Sequence, residues 1–578
     1  MRMLWRYSLP AILLTVCAAG CTTEQYVQQA DRAAYGTIAG GQKIVLGETE
    51  DFHVDYDPFS AVSGRSIRVG EKAIPLTAGE EAAVLTLGDC MQIAFRNSRS
   101  FQTRRENLYA EALTLASESR TWNWSLIDGP ITGSAEHRYT RLDDGDTNSG
   151  GLDAGLTLTQ RFFHGGVLAL GASLDVATDF VGWGSTSIES LLDAQFTQPL
   201  LQGAWRGLAY EEQYRRERDF LFSVFRYDRF TQTFVADIHR RYYNVLQQRD
   251  ELENEKQNIE RLKRTLVWTR VQAEEGQVSR IQQDQAEANL LDAQVRLARN
   301  EQNYRDAVDS FKLALGMPIQ AQVRLDYPAS LEQLQKAGPR PVPFTEAQAV
   351  RVALTVRPDV LTERAKVRDA GRDVEIAADG FLPQLDLVVG ANASGKEPRR
   401  FAQMQFGRHT RFARLELDYN LDQTENRDAY RRALIAQQKA GREYDRLIDE
   451  VRLGVRQSYR TLQRSRRSYE IQVRNVKIAA RRSKLASLQQ QAGHASARDV
   501  LEAEEALRNA QNGLTSALVD YTTTRLQFLA ELGMLAVDEQ GQFRERPEPF
   551  TFERIEKRYP YVPGAEKTPV GDEAARSK

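Results

Sequence analysis

Apolar residues recur every seven positions over two long stretches of the chain. Ile238, Val245, Leu252, Ile259 and Leu266 form one stripe; Val455, Leu462, Tyr469 and Val476 form another, which Ile448 extends backward. This is the spacing at which helices pack side by side as coiled coils. Together with the Gly and Pro positions it predicts helices over about 87–119, 205–275, 280–316, 346–380, 424–492 and 497–533, with Pro358 breaking or kinking the fourth. At about 1.5 Å per residue the two longest run to roughly 105 Å each and the others to roughly 50–55 Å. Two short helices end to end match one long one, which suits a long hollow bundle rather than a globular domain.

Between the helices the period changes to two. Over 384–393 and 412–421, Leu385, Leu387, Val389, Ala391 and Ala393 face one way, as do Ala413, Leu415, Leu417, Tyr419 and Leu421. Asp386, Gly390 and Asn392, then Arg414, Glu416, Asp418 and Asn420, face the other. Ten-residue strands with one apolar and one charged face suit a membrane barrel with lipid outside and water inside. Four further alternating stretches lie near 131–141, 153–162, 166–177 and 190–198.

The chain is duplicated. Residues 276–317 align without a gap on 493–534, at an offset of 217, with 13 identities in 42 pairs, including Gly276/Gly493, Ser279/Ser496 and the closing Leu-Gly-Met. Leu85-Thr86 to Phe101 repeats as Phe344-Thr345 to Val360 at an offset of 259. The 42 extra residues of the first copy fall in its strand region, 120–204 against 381–423, and one additional hairpin accounts for them; whether it joins the barrel or folds over its mouth is open. Four strands per chain, or six, are too few to close a barrel. Open edges cannot face lipid with unpaired N–H and C=O groups, so the chain must oligomerise.

The boundaries that follow are a signal segment over 1–20, an N-terminal connector over 21–84, a first repeat over 85–317, a connector over 318–343, a second repeat over 344–534 and a polar tail over 535–578. Arg2 and Arg6, an apolar stretch from Leu9 to Ala19, and Ala18-Ala19-Gly20-Cys21 have the order of a signal peptide with a lipobox, which predicts cleavage before Cys21 and acylation of that cysteine. Cys17 leaves with the signal, so Cys90 has no partner for an intrachain disulfide.

Composition narrows the classes. There is no apolar run long enough for a transmembrane helix, the mean hydropathy is −0.52, and 77 Lys and Arg against 79 Asp and Glu give a net charge of −2. That balance offers no electrostatic footprint for nucleic acid. No metal-ligand or nucleophile constellation stands out, no cofactor is implied, and the chain is not expected to be an enzyme. One charge pattern is unusual: Arg456, Arg460, Arg464, Arg467, Arg474 and Arg481 lie along one face of the second long helix. Such a stripe serves either interhelix ion pairs or a positively charged tunnel lining.

Several pieces taken in order resemble the outer membrane factor, or TolC-like, family. They are the Leu85-Thr86-Leu87, Ala94 and Asn97 opening, the Gly380-Phe381-Leu382-Pro383-Gln384-Leu385 entry to a strand, the Thr197-Gln198-Pro199-Leu200-Leu201 exit from one, the two Gly-x-x-Ser turns and the Leu-Gly-Met endings. The resemblance covers about 85–317 and 344–534. It implies a homotrimer with a 12-stranded barrel, or a larger one, in outer-membrane lipid, continuing as an α-helical tunnel through the periplasm. It further implies a passive exit duct for small molecules or proteins, joined by a periplasmic adaptor and an inner-membrane pump. The turns Gly276-Gln277-Val278-Ser279 and Gly493-His494-Ala495-Ser496 would then form the tip that docks the adaptor. At the aperture the family's tyrosine and arginine are replaced by Gln490 and Ala495, leaving Asp499 with Arg498 in the second copy and Gln282 in the first. Three copies of Asp499 would form an acidic ring; alternatively, Asp499 serves only the first turn of its helix. The competing reading is a periplasmic adaptor or structural coiled-coil lipoprotein without a pore.

Overall fold

The computed structural model describes residues 23–45, 49, 52–55, 61–62, 66–69, 72–75, 82–120, 122, 132–140, 147–179, 186–204, 206–342, 344–396, 409–492, 494–537 and 543–545. Cys21 and Gly493 lie outside them. The chain runs α1 (Thr23–Val45), β1 (Ala61–Val62), β2 (Ser66–Val69), β3 (Lys72–Pro75), β4 (Ala83–Leu85), α2 (Leu87–Asn97) and α3 (Arg99–Arg120). Four strands follow, β5 (Thr132–Thr140), β6 (Thr147–Arg161), β7 (Val167–Asp179) and β8 (Thr186–Pro199), and then a single turn α4 (Arg206–Ala209). The first hairpin is α5 (Glu211–Glu274) and α6 (Arg280–Ala314). A connector of β9 (Val323–Leu325) and α7 (Ala329–Ala337) leads to α8 (Glu346–Val356) and α9 (Pro358–Asp379). The second copy closes with β10 (Gln384–Lys396), β11 (His409–Asp418), α10 (Thr424–Gln491), α11 (Ala497–Glu531) and two short strands, β12 (Leu535–Val537) and β13 (Phe543–Glu545).

The long helices stand where the heptads predicted them, but the entry helix of each repeat is two helices. In the second copy the break falls at Arg357, extended at φ −63° and ψ 125°, because Pro358 disfavours the helical conformation before it. In the first copy Ser98 takes the same conformation at ψ 118°, with no proline to announce it. Its position is 259 residues before Arg357, the offset of the repeat. What imposes the break is the neighbour. Gly316 of the first Leu-Gly-Met turn has φ +72°, and a Cβ there would lie 2.2 Å from the Asn97 carbonyl oxygen. Gly533 sits equivalently against Val356 and Arg357. Both entry helices also start alike, with capping boxes of Thr86 with Asp89 and Thr345 with Gln348.

The two connectors contain more structure than their composition predicts. Helix α1 packs on α3 and α5, burying Ala34 and Ile38 beside Leu108, Ala112 and Phe220. Tyr109 donates to Asp31 at 2.6 Å, and Gln102 donates to the Val54 carbonyl, so the chain descends along α3 away from the sheet. Glycines at 36, 40 and 41 hide this helix from a propensity reading, although Gly41 lies against Phe220 and Val224. Elsewhere the core is heptad packing: Ile238, Tyr242 and Val245 with Phe311 and Leu315 in the first copy, and Val451, Val455 and Leu462 with Tyr521 and Phe528 in the second.

The strands form one six-stranded sheet in the order β11-β10-β8-β7-β6-β5, antiparallel throughout. The additional hairpin of the first copy therefore extends the sheet. Register carries one alternate set of positions across it: Leu158 is opposite Leu170, Leu170 opposite Ala194, and Ala194 opposite Ala391. That set is mainly apolar on β6, β7, β8 and β10; on β11 it starts with His409 and Arg411 and turns apolar at Ala413, Leu415 and Leu417, the last two 64% and 68% exposed on a single chain. Asp175, Glu189, Asp193, Asp386 and Glu416 alternate onto the other face.

Candidate functional site

Both helical hairpins reverse at one end of the molecule. In the first turn Gly276 takes φ +75°, a left-handed conformation that a side chain disfavours, and Gln277 and Val278 both donate to the Gln272 carbonyl, at 2.8 and 3.3 Å. In the second turn His494 and Ala495 donate to the Gln489 carbonyl at the same two distances. The turns are superimposable in bonding pattern and differ at the following cap. Ser496 accepts from the Asp499 N–H and donates its hydroxyl to the Asp499 carboxylate at 2.7 Å, a complete capping box. Ser279 makes no side-chain cap.

Asp499 is thus placed by its own helix terminus, and the Ser496 hydrogen bonds hold its carboxyl below the usual range, with Arg498 and Arg482 adding to the effect. Arg498 itself pairs with Glu502 at 3.0 Å. The carboxylate is solvent-exposed in the single chain. Gln282, in the first turn of the equivalent helix of the first copy, is half-buried. Of the basic stripe, Arg456 and Arg460 reach Glu346 of α8 at 3.4 and 3.6 Å. Arg464, Arg467, Arg474 and Arg481 are exposed. Beside them Ile471, Ile478 and Leu485 follow at sevens and are each more than half exposed, on the side of α10 away from Ser465, Ala479 and Ala486, which are buried. An uncovered apolar heptad column next to a basic one is the signature of a helix that meets a further helix.

Sequence reasoning missed the feature that ties the two hairpins together above the tip. Along the facing sides of α5 and α11 runs a column of polar pairs. Thr515 donates to Asp250 at 2.6 Å, Asn254 to Asn512 at 2.8 Å and Arg508 to Glu255 at 3.0 Å, and Arg261 pairs with Glu504. Arg296 of α6 reaches Glu255 at 3.3 Å, and Ser483 of α10 donates to Glu504 at 2.8 Å. Glu255, Glu504 and Arg508 are buried, where a charge is tolerated only with partners. A signal was present: Glu255 stands seven residues before Leu262, at a seam position that the pattern reserves for an apolar side chain.

Among the described residues no helix is long and apolar enough to cross a membrane, and no three His, Cys, Asp or Glu side chains are grouped to hold a metal ion.

Residues 349–534 match the family described as outer membrane efflux protein. The second repeat carries that domain. Solved structures give the same fold over most of the chain. The Campylobacter jejuni outer membrane channel CmeC has a TM-score of 0.55 at 14% identity, covering 87% of this chain and 98% of its own. The Neisseria gonorrhoeae outer membrane channel MtrE has 0.56 at 14%, covering 81% and 96%. CusC, described for conformational changes accompanying folding and transmembrane channel formation, has 0.56 at 13%, covering 79% and 96%. No curated protein matches by sequence. The fold of those channels therefore extends over 79–87% of this chain, and the family match falls within the second repeat, from α8 to α11.

Proposed function

We propose that the chain is one protomer of a passive outer-membrane exit duct, a homotrimer whose lower end meets a periplasmic adaptor and, through it, an inner-membrane pump. The observation that carries this reading is the continuity of an apolar-faced antiparallel sheet with two helical hairpins about 95–100 Å long, at the rise of an α-helix. A sheet alone could be a porin and hairpins alone an adaptor; their union is a duct that crosses a bilayer and the space beneath it. The likeness to the outer membrane channels CmeC and MtrE and to CusC, and the efflux-protein family match of the second repeat, support the same class. A second copy is called for by the free edges β5 and β11 and by the column Ile471, Ile478 and Leu485.

Cys21, two residues before α1, is the lipid anchor in this reading. The descent of α1 along α3 puts its first turn towards the sheet, which suits an acyl chain in the same leaflet. At the other end, the turns at 276–279 and 493–496 dock the adaptor. The buried column from Asp250 to Arg261 holds the second hairpin against the first, so that the aperture, with or without an Asp499 ring, opens only when those pairs part.

The detergent-extracted assembly placed in a planar bilayer tests this. Wild type is expected to conduct weakly, and Glu255→Gln to conduct several-fold better, because the Arg508 guanidinium is then left buried without its carboxylate and the contact between the hairpins is weakened. Asp499→Asn separates the ring from the cap: lost cation selectivity supports the ring, whereas unchanged selectivity leaves the capping box as its whole role. An assembly of trimer mass that never conducts, in any of these variants, would defeat the duct.

A further inference from the structure

We propose that the barrel of this duct has 18 strands, six from each of three protomers, and that its bore is matched to the helical tunnel so that bulky cargo leaves without a second narrowing at the membrane. The inference rests on the duct reading and goes beyond it in cargo class. Three observations carry it.

The hairpin of β5 and β6 is in register with the rest of the sheet rather than folded across it. Thirteen consecutive pairs join β6 to β7, from Ser149 with Asp179 to Arg161 with Val167. The alternate positions that are apolar on β7 and β8 continue through Leu158, Leu156, Ala154 and Leu152 of β6, the set a lipid-facing wall requires.

Strand direction is right for closure. All five pairings are antiparallel, so the edge strands β5 and β11 run in opposite senses, and β5 of one protomer can pair with β11 of the next. Had the hairpin folded over the mouth, β7 would be the edge, but β7 already has β6 and β8 as neighbours.

The third observation is dimensional. Four helices approach the sheet in each protomer, α3, α5, α9 and α10, so a trimer presents twelve. Twelve helices at about 8–10 Å spacing need a ring of roughly 95–120 Å. Eighteen strands about 4.8 Å apart, tilted by about 40°, trace roughly 110 Å, whereas twelve would trace roughly 75 Å. With 18 strands the sheet and tunnel have the same girth. The lumen then approaches that of porin-sized barrels, which hold a water-filled channel, and the narrowest passage is left to the tip.

Cysteine pairs in the full-length chain test the seam: one cysteine at Ala135 on β5 and a second at Arg411, Ala413 or Leu415 on β11. Oxidation is expected to yield covalent trimers for at least one of these pairs. Covalent trimers formed instead only from a cysteine on β7 with one on β11 would overturn the proposal, since β7 would then be the closing edge. Polyethylene glycols of graded radius, added at the sheet end in a bilayer, report the bore. A variant lacking residues 125–164 should exclude polymers that wild type admits, its cut-off radius smaller by about one and a half times. Equal cut-offs would also overturn the proposal while leaving the duct reading standing, and a channel that never forms would strike the duct reading instead. If the shortened chain does not fold, the cysteine pairs decide alone.

Discussion

At the scale of single residues, charge placement sets how the protein answers to pH. His239, buried on α5 with its Nδ1 2.9 Å from the Val235 carbonyl, is kept neutral: burial pulls its pKa down to about 4, against a smaller opposing effect of that hydrogen bond. A histidine depressed in the folded state leaves stability intact above its unfolded value near 6.5 and removes it as pH falls from there towards about 4, by up to roughly 3 kcal/mol. Thermal denaturation between pH 7.5 and 4.5 should show that loss, and His239→Gln should flatten it. A variant with the same slope as wild type would assign the loss to other groups. Asp359 acts at lower pH. Burial works to raise it, but the hydrogen bond from Arg357, at 2.6 Å, and the charge of Arg229 hold it below the usual carboxylate range. Its contribution is present above the ordinary value and disappears only as the carboxylate takes a proton in strong acid.

At the scale of elements, the repeat is conserved as geometry more than as sequence. Capping boxes, extended breaks and left-handed Leu-Gly-Met turns recur at equivalent places, but their surroundings differ. Gly316 faces the Asn97 backbone at contact distance, whereas Gly533 has its nearest neighbours at 3.6 Å. Gly533→Ala should therefore cost only the left-handed penalty, about 1–2 kcal/mol, and Gly316→Ala should cost clearly more because backbone must move. Matched melting temperatures for the two variants would show that the contact at Asn97 carries no load. The same comparison explains why the break at Ser98 escapes the sequence: a proline marks one copy, and only a packed neighbour marks the other.

At the scale of the molecule, a single chain is incomplete by its own physics. Among the described residues it exposes two sheet edges, an apolar wall and the column Ile471, Ile478 and Leu485, and in the proposed duct each of these meets another copy or lipid. Replacing Ile478 with Glu should shift the detergent complex from trimer towards monomer in light scattering, with helicity largely kept, and an unchanged mass would remove that column from the interface. In the proposed duct, Cys21→Ser should abolish acylation and still leave the protein in the membrane fraction, because insertion of the sheet would not depend on the acyl chain. A fully soluble Cys21→Ser protein would contradict the barrel.

Periodicity is local, so the amino-acid order alone decided whatever depends on it. The six long helical segments, the heptad seams, the two strands of the second copy, the duplication and the Pro358 break are all legible because a seven- or two-residue rhythm needs no knowledge of the partner. Tertiary structure decided what depends on who stands opposite. The hairpin of β5 and β6 could lie in the wall or over the mouth until its register with β7 was seen, since alternation specifies a face and not a neighbour. Helix α1 forms because Phe220, Val224 and Leu108 cover it, not because its glycine-rich sequence favours it. The buried pairs of Glu255 with Arg508 and of Arg261 with Glu504 join residues more than 240 positions apart. In one dimension they are ordinary charges on a charged helix, and only packing removes them from water and makes each require the other.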